Sequence, residues 1–181
     1  PPALILVAGL LIIDLTLYLL HWLSHRAPWL WRLHKIHHAD EHVTAISGLL
    51  HHPFESAVSF VFVLLVSVAL GVPVLALIAY GLLSAFHNVF AHADIALPRP
   101  LDNILRWLIV TPDVHRTHHS VKLDEGNSNF GQILTIWDRL FGTYIDRPSV
   151  TETKLAMGLP QSEKPREFTV RGLLTLPFVR R

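Results

Sequence analysis

Ser56 to Phe86 reads SAVSFVFVLLVSVALGVPVLALIAYGLLSAF, a run without one charged side chain. A helix rises about 1.5 Å per residue, so the run is too long for one crossing of a roughly 30 Å hydrocarbon core. Gly71-Val72-Pro73 lies at its middle. Proline lacks a backbone donor and disfavours helical geometry in the residue before it, so the run divides into two helices, about 53–70 and 73–90, paired as a hairpin. Upstream, Ala3 to Leu20 (ALILVAGLLIIDLTLYLL) is apolar except for Asp14, Thr16 and the Tyr18 hydroxyl. It predicts a membrane span over 3–23. No basic leader or small-residue cleavage site marks it as a secretory signal.

Charge tests the hairpin independently. If the chain turns back at 71–73, all 15 Lys and Arg, from Arg26 to Arg181, fall on the side where the first helix ends, and so do all 13 His, from His21 to His119. The positive-inside rule makes that face cytoplasmic. A single crossing would put the His before and after the run on opposite sides of the bilayer. Trp22, Trp29 and Trp31 suit an interfacial belt. Leu101 to Val110, with Trp107, reads either as a short helix on the membrane surface or as a buried cytosolic one. The expected fold class is all-α: integral membrane helices, one span plus a helical hairpin, and a cytosolic helical cap over 101–145 carrying a His-cluster dimetal site. An irregular tail over 146–181 completes a single domain, 1–181. The chain starts at Pro1 and its only Met is Met157, so upstream membrane helices are expected.

Composition agrees. The chain is 51% hydrophobic and 16% charged with a net charge of +1, against about 25% charged for a soluble domain. Disorder and nucleic-acid binding are both excluded, the one by hydrophobicity and the other by the missing basic excess. No Cys is present, so metal would be held by nitrogen and oxygen ligands.

The histidines are grouped. His21 and His25 lie i, i+4 at the end of the first helix, on one face, with Asp14 and Tyr18 on the same stripe. An ionisable residue inside a span marks a functional position, so Asp14 is expected to orient a ligand imidazole, or else to pair with an upstream helix. The pattern H-x-x-H-H occurs at His34, His37, His38 and again at His115, His118, His119, each triplet projecting from one side of a helix. His87 and His92, i, i+5, are roughly 140° apart and converge only at a distortion or helix end. These ten exceed the three or four ligands of one zinc, which implies two metals. His42 reads as solvated, and His51 and His52 as the start of a helix with Pro53 at its first position and Glu55 near the positive end of its dipole. No H-E-x-x-H, G-x-G-x-x-G, P-loop or G-x-S-x-G motif is present, and no Asp or Glu precedes a His by three. Without a nucleotide motif, electrons would come from a separate protein.

Several strings now carry a resemblance: Asp14-x3-Tyr18-x2-His21-x3-His25-Arg26; Leu30-Trp31-Arg32-Leu33-His34-Lys35-Ile36-His37-His38; His52-Pro53-Phe54-Glu55; Phe86-His87-x4-His92-Ala93-Asp94; Thr111-Pro112-Asp113-Val114-His115-Arg116-Thr117-His118-His119; Asn127-Ser128-Asn129-Phe130-Gly131; and Trp137-Asp138-Arg139-Leu140-Phe141-Gly142. Over about residues 10–145 the chain resembles the membrane-bound fatty acid hydroxylase and sterol desaturase superfamily. The resemblance implies two Fe ions (zinc being possible as purified) held by His21, His25, His34, His37, His38, His87, His92, His115, His118 and His119. It further implies O2 as cosubstrate, a lipid substrate such as a sterol or fatty acyl chain, and hydroxylation or desaturation as the reaction. A cytochrome b-type or ferredoxin-type electron donor and residence in the bacterial inner membrane or endoplasmic reticulum follow from it too. Asp14, Asp113, Asn127, Asn129 and Asp138 would support the ligands or fix loops, or simply cap helices. Two other readings of the His cluster stay open: a zinc-dependent membrane hydrolase using an activated water, and a non-enzymatic metal transporter.

Overall fold

The computed structural model describes residues 1–148 and 155–179. Its described residues are helical, with no strand and only two isolated bridges, Ile109 with Leu134 and Ser120 with Met157. The long helix α1 (Pro2–Arg26) is ended by the Ala27-Pro28 pair, where Ala27 is extended, and Pro28 opens α2 (Pro28–His34) at its first position. The hairpin forms as expected, from α3 (Pro53–Ala69) and α4 (Val74–Ala91). Gly71 turns it with φ +65°, a left-handed conformation costly for any residue with a Cβ. Helices α1 and α4 are long and apolar enough to cross a membrane, and α3 is a shorter apolar helix of 17 residues.

Helix α1 packs against both hairpin helices. Ile13, Ala76 and Tyr80 form the buried centre, with Leu10, Leu17, Val63 and Leu77 around it. Gly9 permits this approach, since a Cβ there would lie 2.8 Å from the Ala76 Cβ. The outer faces of all three helices are apolar and exposed, Leu11, Phe62 and Leu82 among them, which is the pattern of a lipid-facing surface.

Four short helices follow: α5 (Arg99–Leu105), α6 (Pro112–His118), α7 (Leu123–Gly126) and α8 (Ile136–Phe141). Helix α6 packs at the end of α4 and against α7, whereas α8 lies beside α1, with Trp137 on Asp14 and Phe141 on Tyr18. The C-terminal stretch departs from the expected irregular tail. Its helix α9 (Val170–Thr175) and the adjoining turn bring Leu173 and Leu176, with Leu159, onto Ile36 and Ala39 in a second apolar core. Residues 149–154 and 180–181 of the expected tail lie outside the described residues.

Candidate metal centre

Helix ends bring the histidines together. His21 and His25 occupy the last turns of α1 and His34 ends α2. The chain then leaves the α-helix, so His37 and His38 sit in a separate 3-10 turn, and the first triplet does not share one helical face. His92 caps α4, while His115 and His118 lie on α6 with His119 at its cap.

Nine imidazoles converge in two groups. One is His21, His25, His34, His38 and His118, the other His37, His92, His115 and His119, and within each group one nitrogen per ring lies within 4.8 Å of all the others. The two H-x-x-H-H triplets are shared reciprocally. The first places its i, i+4 pair, His34 and His38, in one group and His37 in the other; the second places His115 and His119 with His37, and returns His118. The groups adjoin, with the His38 ring 4.7 Å from His118 of its own group and 4.5 Å from His119 of the other. His87 belongs to neither group. It lies five residues before His92 on α4, and its ring centre is 5.9 Å from that of Phe90. The expected set of ten converging imidazoles is therefore nine.

Hydrogen bonds determine which nitrogen faces inward. His21 Nδ1 donates to the Phe130 carbonyl at 2.9 Å, His118 Nδ1 to Ser128 at 2.7 Å, and His92 Nδ1 to Asn88 at 2.9 Å. His34 Nδ1 donates to Glu55 Oε1 at 2.6 Å. Carbonyl and carboxylate oxygens only accept, so these rings carry their proton on Nδ1 and aim a lone pair inward from Nε2. The Nε2 atoms of His21, His25 and His118 are buried without a partner. In the second group, His92 Nε2 lies 2.8 Å from His115 Nε2 and 3.2 Å from His37 Nε2. Converging lone pairs with too few protons between them are what a cation resolves, so both groups fit a divalent metal. Imidazole donors suit iron and zinc alike.

Burial keeps the rings neutral. It pushes His37, His38, His115, His118 and His119 well below the ordinary imidazole value, and neighbouring imidazoles push the same way. His92 falls to about 4, mainly through burial.

Among the residues expected to support the ligands, Asp14 is the one whose contacts differ from the first of its two readings. Asp14 meets no imidazole. Its carboxylate accepts from Tyr80 Oη at 2.5 Å, Trp137 Nε1 at 2.8 Å and the backbone of Ile133 and Leu134. Asp138 accepts from the backbone of Phe130 and Gly131, both at 2.7 Å, so it fixes the carbonyl that holds His21. Asn127 lines a hollow together with His25, and Asn129, at φ 54°, ties Val114 to Ile145. Asp113 pairs with Arg116 on its own helix. The carboxylate that does orient imidazoles is Glu55, which holds His34 and, at 3.2 Å, His51. His51 in turn stacks on His37, 4.4 Å away and 10° from parallel. In the sequence Glu55 stands three residues after His52, in the first turn of its helix and in one of the strings that carry the resemblance, but nothing there pairs it with His34. His52 caps α3 and His42 is exposed.

A cavity of about 310 Å³ reaches both groups, touching His21 and His34 of one and His37, His92 and His115 of the other. Leu17, Leu20 and Ala91 supply its apolar wall and Ser56, Ser59 and Gln132 its polar one.

The fatty acid hydroxylase family model matches residues 6–143. The chain belongs to this family. An ornithine lipid hydroxylase, OlsE, of Rhizobium tropici is 33% identical over 87% of the chain and 46% of its own length. An alkylglycerol monooxygenase of Xenopus tropicalis is 28% identical over 74% of the chain and 29% of its own length. A cholesterol 25-hydroxylase-like protein of Danio rerio is 28% identical over 76% and 54%. The chain thus spans about half, or less, of these relatives. No solved structure gives a significant match. Fatty acid hydroxylase relatives hydroxylate or otherwise modify lipids, and apolar helices with His clusters able to hold metal accord with membership.

Proposed function

We propose that this chain is the catalytic membrane domain of a non-heme di-iron oxygenase that uses O2 and external electrons to hydroxylate, or desaturate, a lipid such as a sterol or fatty acyl chain. The observation that carries the reading is the pair of adjoining imidazole groups opening on one partly apolar cavity. His21, His25, His34, His38 and His118 would hold one ion, and His37, His92, His115 and His119 the other. A pair of ferrous ions there would supply O2 reduction and removal of hydrogen from an unactivated C–H bond.

The chain's own groups do the rest. Glu55 and the carbonyls of Phe130, Ser128 and Asn88 keep the ligand protons on Nδ1, so the inward nitrogens stay available at neutral pH. Leu17 and Leu20 line a dry wall against which an alkyl chain would lie, while Ser56, Asn88 and Gln132 offer hydrogen bonds to a polar group beside it. A second hollow of about 460 Å³ shares those three residues and is lined also by Ser84 and Ala85 of α4, and a lipid would enter through it. The basic residues favour a site facing the cytoplasm, in the bacterial inner membrane or the endoplasmic reticulum. A separate cytochrome b-type or ferredoxin-type protein would deliver electrons there.

The test is metal content after anaerobic purification, followed by turnover with and without O2 and reductant. About two irons per chain and strict O2 dependence are expected. One tightly held zinc, or activity that persists without O2, would replace the oxygenase by a zinc hydrolase.

A further inference from the structure

Asp14 stands at the centre of α1, twelve residues from either end of Pro2–Arg26, or about 18 Å. Segments from the part of the chain expected as a cytosolic cap reach it there. Ile133 and Leu134 donate their backbone N–H groups to Asp14, at 3.2 and 3.3 Å, and Trp137 donates its indole. Ile133 joins the apolar cluster of Ile13, Ala76 and Tyr80 inside the helix bundle. Phe141 stacks on Tyr18 of α1, with ring centres 5.4 Å apart. The preceding segment follows: Val110 N donates to the Ile133 carbonyl at 2.9 Å and Thr135 N to that of Leu108 at 3.1 Å.

Residues 104–110 and 131–141 therefore form one lobe alongside the middle of α1. Its outer face is apolar, Ile104 being 70% exposed, Trp107 70%, Leu108 64% and Leu140 68%. Two of its three charged side chains are withdrawn from that face, and the third lies against it, half-buried with its charge held over aromatic rings. Arg106 and Asp138 are buried, and the Arg139 guanidinium lies over the rings of Trp107, at 4.2 Å, and Tyr144, at 3.7 Å. Irregular backbone survives at membrane depth only where protein satisfies its polar groups, and Asp14 does that for this lobe.

We propose that the lobe is immersed in the bilayer beside α1, with Ile104, Leu108, Ile136 and Leu140 facing lipid acyl chains rather than the cytosol. The occupant of this face is lipid because the lobe is tied to the middle of α1 through Asp14 and Tyr18, and α1 itself exposes apolar side chains such as Leu11 and Leu19. The proposal rests on α1 crossing the membrane, and the two claims fail separately.

The chain has no Cys, so single labelling sites can be introduced one at a time. Ile104→Cys and Leu140→Cys probe the lobe, with Leu108→Cys and Ile136→Cys as a second pair should either fail to fold. Phe62→Cys on α3 and Leu11→Cys on α1 report the helices, and Asp124→Cys reports water. Each full-length variant is labelled with an environment-sensitive fluorophore and reconstituted in phosphatidylcholine–phosphatidylglycerol vesicles. It is then quenched with nitroxide-labelled phospholipid or with aqueous iodide. Lobe positions are expected to be quenched by the lipid nitroxide within about twofold of Phe62→Cys and Leu11→Cys, and several-fold less by iodide than Asp124→Cys. Lobe probes that behave like Asp124→Cys while the helix controls report lipid would overturn the proposal. Helix controls that also report water would remove the membrane reading itself, and the proposal with it.

Discussion

His38 and His119 stand in different triplets, and their rings face each other across the boundary between the two groups. Because each group has its own ligands, His38→Ala and His119→Ala should each lower bound metal from about two ions per chain to about one, with the survivor in the opposite group. His92→Ala should do the same, whereas His87→Ala should retain both ions. Metal analysis of the four variants checks this, and parallel loss in His87→Ala would contradict the grouping. Glu55→Gln removes the carboxylate that receives the His34 proton while preserving shape. Metal affinity of the group containing His34 should fall about 10- to 100-fold, measured by competition with a chelator, and an unchanged affinity would make Glu55 a bystander. The grouping of residue types was legible in the sequence, since spacings of three and four already place imidazoles within a turn of one another. The division of each triplet was not. In the first it accompanies the stop of α2 at His34, which puts His37 and His38 in a separate turn; the second is divided although His115 and His118 share α6, so it depends on which rings the fold brings opposite them.

At the scale of elements, the bundle depends on how closely α1 approaches the hairpin turn. A Cβ at Gly9 would lie 2.8 Å from the Ala76 Cβ and 3.2 Å from Val72 Cγ1. Gly9→Leu should therefore cost about 1–3 kcal/mol of stability, read as a lowered unfolding midpoint in detergent. At Gly81 nothing lies within 4 Å of an added Cβ, so Gly81→Leu is the control and should be neutral or stabilising. Equal destabilisation by both would mean that the close approach is not what matters. The hairpin was readable because Pro73 and Gly71 interrupt an otherwise uniform apolar run. The C-terminal helix α9 was not, because its apolar residues are few and acquire a partner surface only once Ile36 and Ala39 are in place.

Across the whole molecule, the packed imidazoles couple stability to pH. His37, His38, His115, His118 and His119 titrate well below 6.5 when folded, and His92 near 4, whereas the unfolded chain takes up protons around 6.5. The unfolded state then binds more protons below that value. The contribution is complete above about pH 6.5 and is lost as pH falls, by about 1.4 kcal/mol per unit for each uncoupled group. Chelator-stripped protein should show an unfolding midpoint that drops steeply between pH 6.5 and 4, and bound metal should be released over the same direction of change. A midpoint flat across that range would mean that the rings are not held neutral.

Local physics determined much of this protein from the sequence alone. Apolar runs long enough for a bilayer, a proline-marked reversal and imidazoles at helical spacing each depend on neighbours within a turn or two. They yield helices long and apolar enough to cross a membrane, with a nitrogen-rich centre at one end of them. Tertiary structure alone decided the pairings between distant segments. It assigned Glu55 rather than Asp14 to the imidazoles, left His87 outside, and drew 131–141 down to Asp14. Such choices turn on which buried donor finds which acceptor once the backbone closes, and separation along the chain carries no record of that.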